Sequence, residues 1–367
     1  MKIFVTGTRG IPDIPGGVEK HCQELYPLIA SSGYDIIVAT RKSYVLKEFL
    51  EWQGISLNHL FSPEKKSFEA IIHTFLAVIK ARISNADILH VHAVGPGLMV
   101  PFAKILGMKV VVTNHGPDYD RQKWGRSAKL MLRLGEWLGG RFADEVIVIS
   151  SVIENIIYKR CNRKSNLIYN GVVFPEKATS KDFLTDIGVT PGKYLIAVSR
   201  FVPEKGLDLL IDAFKNIKTE YKLVIAGDAD HESEYSRNLK TTIDENENII
   251  RTGYITGDDL NQIFSHAGLF VLPSYHEGLP IALLEALSYG LPVLVSDIPA
   301  NKEVDILEDR FFKCGDVADL KLKLETLIGK ELSEKEKNHI SQMLEEKYNW
   351  EKIADQTIAV YKKVMSS

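Results

Sequence analysis

The stretch "HEGLPIALLEALSYGLP" (276–292) runs from a loop through a helix to a turn. Apolar residues at 281, 283, 284 and 287 carry the helical period over 281–289. Pro280 suits the first turn, while Gly290 and Pro292 end the helix. Two glutamates, Glu277 and Glu285, stand on either side of that proline. Glu277 falls in the loop before the helix and Glu285 about a turn and a half inside it. The amides of Gly278, Leu279 and Ile281 point out of the same end and suit an anion. A plainer reading makes Glu277 a dipole-favoured acid and Glu285 a solvated helix residue. Leu283, Leu284, Ala286 and Leu287 nonetheless surround Glu285 with apolar side chains. A carboxylate so placed needs polar partners.

Outward from this stretch, apolar β-branched runs alternate with helical patterns along the chain. One set of runs occupies 3–6, 36–39, 88–91, 110–113 and 146–149. A second occupies 195–199, 223–226, 249–252, 269–272 and 293–296. Helical patterns fall between them at 18–31, 67–83, 126–139, 206–217 and 257–265. This alternation predicts an α/β fold with parallel sheets covered by helices. Two sets predict two Rossmann-like domains, 1–172 and 173–349. The joint is placed in "NGVVFPEKATS" (170–180), where a turn dipeptide and a polar segment break the periodicity. A helix at 350–364 follows the charged stretch 328–347 and is expected to pack back on the first domain. Two such domains place ligand-binding residues at the carboxyl ends of their strands, facing a cleft.

Composition bounds the function. The 367 residues, 45% hydrophobic and 25% charged, suffice for two cores in an ordinary soluble protein. Cys22, Cys161 and Cys314 are scattered and lack CxxC spacing. A reducing cytoplasm fits them, without a disulfide frame or zinc knuckle. The opening "MKIFVTGTRG" reads as a strand entering a glycine loop, not as a signal peptide. "AVGPGLMVPFAKILGMKVVVT" (93–113) is apolar, but its glycines, prolines and lysines predict loop, short helix and strand, not a membrane span. The net charge of −3 divides into +7 for residues 1–170 and −10 for the remainder. A basic first half suits an anionic partner; chance fluctuation between half-chains accounts for it equally well.

The chemically interesting residues fall just after strands. In "GTRGIPDIPGGVEKH" Arg9 takes the second glycine position of a G-x-G-x-x-G, which disfavours a nicotinamide enzyme. Gly16 and Gly17 precede the first helix, where bare amides can meet a phosphate or sugar, or simply turn the chain. "VTNHGPD" places Asn114 and His115 after the strand at 110–113, where a histidine can donate to a substrate hydroxyl. With His90 and His92, His115 forms a zinc-like set, but no fourth ligand or supporting pattern is visible, so no metal is expected. In "VSRFVPEKG" Arg200 and Lys205 can grip a diphosphate from two sides, although surface lysines often serve solubility alone. "AGDADHE" contains a D-x-D, Asp228 and Asp230, of the kind that holds a divalent cation on a nucleotide sugar. It sits in an acidic loop, and Arg200 and Lys205 already supply positive charge, so a metal is not assigned. Finally, "RQKWGRSAKLMLRLGEWLGGR" (121–141) aligns Lys123, Arg126, Lys129 and Arg133 beside Trp124, Leu130, Leu134, Trp137 and Leu138. It is either a basic amphipathic helix for anionic headgroups or an ordinary domain helix with a solvated face.

Taken together these residues resemble a family. Arg200, Lys205 and the E-x7-E of Glu277 and Glu285 in "PSYHEGLPIALLEALSYGLPV" look like the retaining glycosyltransferases of family 4, which have the GT-B fold. "GGVE" (16–19) and "NHG" (114–116) match the family's first-domain motifs more loosely, and the resemblance covers nearly the whole chain. The opening "GTRGIP…GGVE" is similar to bacterial members that build surface polysaccharides. "GDAD" departs from the family's more usual "GDGP", which leaves the base-side loop open.

The resemblance implies roles. Arg200 and Lys205 would bind the diphosphate of a nucleotide sugar and stabilise it as leaving group, without a metal or other cofactor. Glu285 would hold the ribose hydroxyls and Glu277 the transferred sugar, with the diphosphate against Gly278 and Leu279. Gly16 and Gly17 would approach the phosphates, His115 the donor sugar, and Tyr254 in "TGYIT" the base. Arg9, His92, Asn114 and Arg121 are the acceptor-side candidates of the basic domain. UDP is the first expectation for the nucleotide, and a glycan or lipid-linked molecule for the acceptor, with no nucleic acid. The implied location is cytoplasmic, or peripheral at the inner face of the cytoplasmic membrane, through an anionic surface. Two other functions fit the same fold: a GT-B sugar-nucleotide epimerase, or a catalytically silent nucleotide-binding partner.

Overall fold

The computed structural model describes the chain except residues 47, 64, 65, 118, 120–124, 230 and 367, and the side chains of 66–68. It divides into two compact units, Met1–Gly171 with Tyr348–Ser367, and Val172–Lys347.

The first unit is built on strands β1 (Lys2–Thr6), β2 (Asp35–Arg41), β3 (Glu51–Trp52), β4 (Ile55–Leu60), β5 (Ile88–His92), β6 (Lys109–Asn114), β7 (Glu145–Val148) and β8 (Asn166–Leu167). They lie in the order β3-β4-β2-β1-β5-β6-β7-β8, and only the β3–β4 pair is antiparallel. Ile3, Phe4 and Val5 of β1 are fully buried, as both faces of a helix-covered parallel strand require. Strand order reverses between β1 and β5, so the loops after these two strands open at the sheet's switch point.

The second unit repeats the plan with β9 (Tyr194–Val198), β10 (Lys222–Ala226), β11 (Ile249–Gly253), β12 (Leu269–Leu272), β13 (Val293–Ser296) and β14 (Phe311–Phe312). Their order is β11-β10-β9-β12-β13-β14, all parallel. Here the order reverses between β9 and β12, which places Arg200 and Glu277 in the two loops at that point.

Several elements differ from the sequence expectation. Strand β4 was not expected, because "ISLNHL" lacks a continuous apolar run; it buries only Ile55 and Leu57, the alternation of a half-covered strand. Strands β3, β8 and β14 have two residues each and leave no periodic signal. The charged stretch 328–347 contains a helix, Glu334–Lys347, which buries Ile340, Met343 and Leu344 and packs beside the helix Ile281–Ser288. The helix expected at 206–217 is shorter, Leu207–Lys215.

The helix expected at 126–139 runs on through two glycines to Phe142. These glycines are contacts and not terminators. A Cβ on Gly97 would lie 2.4 Å from the Gly135 carbonyl oxygen, and one on Gly140 would lie 2.5 Å from Cys161 Sγ. Glycine lets the helix approach its neighbours backbone to backbone. The closing helix, Trp350–Ser366, adds Ile353, Ala354, Ile358 and Tyr361 to the first unit's core. Among the described residues no helix is long and apolar enough to cross a membrane.

Candidate active site

In the second unit, Lys205 ends a short 3-10 turn, Pro203–Lys205, after β9, and Glu277 lies in the loop after β12. Lys205 Nζ donates to Glu277 Oε1 at 2.6 Å, and Ser274 Oγ donates to the same oxygen at 2.7 Å. The two loops are also tied through the backbone, with Tyr275 N donating to Glu204 O at 2.9 Å. Behind them, Ser296 Oγ donates to Ser274 O and Asn301 Nδ2 to Ser296 O, so the loop rests on a buried polar support. Only 18% of the Lys205 side chain and 10% of Glu277 are exposed, and both charges are largely shielded from water.

The helix Ile281–Ser288 begins just beyond, and its N-terminal amides are not all free. Ile281 N donates to Leu279 O at 3.0 Å, which removes it from the three amides expected to meet an anion. Gly278 and Leu279 show no backbone bond from their amides among the described residues. Glu285 is half-buried between the buried Leu284 and Ala286. One turn on, burial and then the Glu285 charge push the Tyr289 phenol up to about 12. Arg200 is half-buried two residues beyond β9, and Tyr254 is exposed immediately after β11. Asp228 pairs with Lys240 at 2.7 Å and accepts from the Ala229 amide at 2.7 Å, so its carboxylate is already engaged. Asp230, the other half of the D-x-D, lies outside the described residues.

In the first unit, Gly16 and Gly17 sit where the first helix, Gly17–Ser31, begins. Gly16 has φ 146° and ψ 151°, and a Cβ there would lie 2.1 Å from Glu19 Oε2. The buried Glu19 clamps the loop: its Oε1 accepts from Arg9 N at 3.0 Å and Arg9 Nε at 3.1 Å. Arg9 Nη2 also donates to Pro15 O. Arg9, an acceptor-side candidate by sequence, is therefore built into the turn that shapes Gly16. Arg121 lies outside the described residues.

Asn114 and His115 end β6 and begin its loop. Asn114 Oδ1 accepts from Gly116 N at 2.8 Å, while its Nδ2 donates to the buried Glu136 at 3.3 Å. Tyr119 and Arg160 hold the same carboxylate. This anchors the turn carrying His115.

His115 Nε2 faces His92 Nδ1 at 2.9 Å, and His92 Nε2 meets Tyr26 Oη at 2.5 Å. Tyr26 Oη also reaches His90 Nδ1 at 2.8 Å, where Tyr361 Oη arrives at 2.6 Å, and His90 Nε2 meets Thr113 Oγ1 at 2.7 Å. The chain of partners thus runs from His115 into the core and stops at the closing helix. At its outer end, His115 Nδ1 is buried and has no hydrogen-bond partner among the described residues. Burial, then neighbouring histidines, hold His92 and His115 well below the usual imidazole range. Burial likewise lowers His90 to about 3, and it lowers His21 to about 4 against the opposing bond to Asn170. These rings are neutral at neutral pH and act as hydrogen-bonding groups.

Ring nitrogens of His21, His92 and His115 lie within 4.8 Å of one another, a different trio from the one suggested by sequence. A zinc ion with bonds of about 2.1 Å needs its ligands closer together, at roughly 3.4 Å. Both nitrogens of His92 are already hydrogen-bonded, to Tyr26 and to His115. As arranged, the cluster is a hydrogen-bonded one.

Comparisons with known proteins decide the family. Residues 187–360 match the model of glycosyl transferases group 1, and residues 15–173 match that of glycosyltransferase family 4. The chain belongs to the group 1/family 4 glycosyltransferases. It is 26% identical over 307 residues to an Escherichia coli UDP-Gal:alpha-D-GlcNAc-diphosphoundecaprenol alpha-1,3-galactosyltransferase, covering 78% of this chain and 77% of that one. Its fold is similar to sucrose-phosphate synthase of Thermosynechococcus elongatus, with a TM-score of 0.85 and 18% identity over 100% of this chain and 99% of that one. It is also similar to Anabaena HepE in complex with UDP-glucose, with a TM-score of 0.80 and 18% identity over 99% of both chains. The glycosyltransferase therefore has the GT-B fold, with two parallel-sheet α/β units.

Several residues that shape the transferase's loops escaped the sequence reading: Glu19, Tyr26, Glu136, Ser274 and Tyr361. One signal was available. Tyr26 lies on the buried face of its helix with Cys22, Leu25 and Ile29, and a buried hydroxyl on an apolar stripe calls for a polar partner.

Proposed function

We propose that this glycosyltransferase is a retaining, metal-independent enzyme that moves a hexose-type sugar from a nucleotide diphosphate, UDP foremost, to a glycan or lipid-linked acceptor in surface-polysaccharide synthesis. The observation that carries this reading is the shielded Lys205–Glu277 pair beside the start of the Ile281–Ser288 helix. The pair brings a cation and a carboxylate together where the sheet's strand order reverses, which supports giving them diphosphate and sugar hydroxyls. The names of the relatives support a UDP-sugar donor, since one is a UDP-galactose-using transferase and one holds UDP-glucose.

In this reading Arg200 and Lys205 hold the diphosphate, with the Gly278 and Leu279 amides beside it. Glu277 takes hydroxyls of the transferred sugar and Glu285 those of the ribose. The bond between the anomeric carbon and the diphosphate oxygen breaks, and its electron pair leaves on the phosphate. A new bond forms to the acceptor hydroxyl, whose proton departs with the diphosphate. Fixed cations facing that developing charge need no reorganisation during the step, and losing one such group typically costs on the order of 100–1,000-fold in rate. The engaged state of Asp228 supports placing this charge on Arg200 and Lys205 rather than on a D-x-D-bound cation. Within the first unit, Gly16, Gly17 and the neutral His115, whose Nδ1 has no partner among the described residues, remain the candidate groups for phosphate and sugar. The protein works in the cytoplasm, peripheral to the membrane that carries its acceptor.

The test is incubation with UDP-, GDP- and ADP-sugars in the presence of a chelator, with and without glycan or lipid-linked acceptors, followed by NMR of the product anomer. Transfer with the donor's anomeric configuration retained is expected. An altered nucleotide sugar without acceptor would instead establish an epimerase, and nucleotide binding without turnover a silent partner.

A further inference from the structure

The helix Arg126–Phe142 supports the His115 turn through Glu136, but its exposed face has no place in the chemistry above and is unlike ordinary solvated surface. One side packs inward through Gly135, Glu136, Gly139 and Gly140. On the other side Leu130, Leu134 and Trp137 are 70%, 47% and 41% exposed. Spacings of four and three residues put these three on one stripe. Trp137 meets Phe142, itself exposed, edge-on at 5.9 Å.

Four cations border the stripe: Arg126, Lys129, Arg133 and Arg141. Arg126, Lys129 and Arg141 enter no ion pair among the described residues, and the Arg133 guanidinium lies 5.1 Å from the Tyr119 ring centroid. The helix has a single acid, Glu136, and it points inward to Asn114, Tyr119 and Arg160. Among the described residues the exposed face therefore joins a large apolar stripe to positive charge with no carboxylate from the helix itself. Solubility alone would favour charge without the leucines and tryptophan. A second protein surface would have to be both acidic and apolar, whereas an anionic bilayer offers phosphates at one depth and hydrocarbon just beneath.

We infer that this face docks the protein on an anionic lipid bilayer, with Leu130, Leu134 and Trp137 in the headgroup–acyl boundary and the flanking cations against lipid phosphates. The helix lies in the membrane plane and does not cross it. The inference extends the membrane-associated part of the proposed function, but it concerns a face whose binding is measured without donor or acceptor. Its failure is thus distinguishable from failure of the transfer reaction.

The experiment is co-sedimentation with vesicles of mixed phosphatidylglycerol and phosphatidylcholine, against vesicles of phosphatidylcholine alone, at low and high salt. Wild type is compared with the pairs Leu134→Ser with Trp137→Ser, and Arg126→Glu with Arg141→Glu. All four side chains are exposed, and an unchanged melting temperature verifies folding. Binding to the anionic vesicles is expected, weakened by salt. Each cation removed should lower the partition coefficient about fivefold. The apolar pair should lose binding as well, and a blue shift of emission on vesicle addition should vanish in Trp137→Phe. Absence of binding, equal binding to neutral vesicles, or wild-type binding by both pairs would overturn the inference. So would a concentration-dependent dimer in sedimentation velocity that Leu134→Ser abolishes, which would give the face to a second copy.

Discussion

Lys205 Nζ and Glu277 Oε1 meet at 2.6 Å although 72 residues separate them in the chain. The pair gives the ammonium a fixed position and orients the carboxylate, with Ser274 as a second donor to the same oxygen. Removing the cation should act on chemistry, and it should also lower stability by leaving the shielded Glu277 carboxylate without its charge partner. Lys205→Ala is expected to lower kcat/KM on the order of 100-fold, and Lys205→Arg to recover only part, because the planar fork does not reproduce a point charge. Steady-state kinetics with the preferred donor is the check, and an effect within about threefold would remove Lys205 from leaving-group stabilisation.

Tyr26 is the next link to cut. Its hydroxyl lies between His92 Nε2 and His90 Nδ1, and His92 in turn holds His115. Tyr26→Phe leaves buried nitrogens without that partner, at a cost of about 1–3 kcal/mol in stability. With His115 no longer held in one orientation, kcat should fall about 10- to 100-fold while the donor KM changes little. Unchanged kcat beside a lowered melting temperature would confine Tyr26 to a structural role.

The histidine cluster also makes the first unit sensitive to acid. His21 and His90 bind protons near pH 4 and 3 in the folded protein, but near 6.5 once unfolded. The unfolded chain then binds more protons, so stability is complete above about pH 6.5 and falls as pH drops through the interval towards 4. Each excluded proton steepens that loss by roughly 1.4 kcal/mol per pH unit. Thermal unfolding followed from pH 7.5 to 5 should show the decline, and a melting temperature flat over that range would contradict the neutral cluster.

Gly16→Ala addresses the first-unit turn. At φ 146° an L side chain is strained, and its Cβ would lie 2.1 Å from Glu19 Oε2 and 2.6 Å from Arg9 Nη2. The Arg9–Glu19 clamp must open, with about 1–3 kcal/mol of strain or lost stability and a fall in activity. Wild-type activity in this variant would show that the turn takes no part in catalysis.

Much of the architecture was legible because alternating apolar runs and helical periods depend only on nearby residues. The loop–helix–turn at 276–292 shows this well. Pro280 and Gly290 mark its ends, and the observed helix, Ile281–Ser288, stops within one residue of the reading. The same local signals failed where glycines serve packing. Gly139 and Gly140 look like a stop, yet the helix continues because its glycine face meets another backbone. Amide availability was also misread at Ile281, whose N–H closes a local turn on Leu279. The histidine cluster was out of reach for a different reason. The return of Trp350–Ser366 to the first unit is legible, but no periodicity records that its Tyr361 meets His90 across 271 residues.

The central claim is that the second unit binds a nucleotide diphosphate through Lys205, Arg200 and Glu285. Its most direct test is thermal unfolding with UDP, GDP, ADP and NAD separately, on wild type and on Glu285→Ala. Ligand at about 100 times its dissociation constant stabilises by roughly 2.7 kcal/mol. For a unit of this size that is a shift of about 5–10 °C. A shift with one nucleoside diphosphate, greatly reduced in Glu285→Ala, is the expected result. No shift with any of them, or a shift with NAD alone, would contradict the donor site described here.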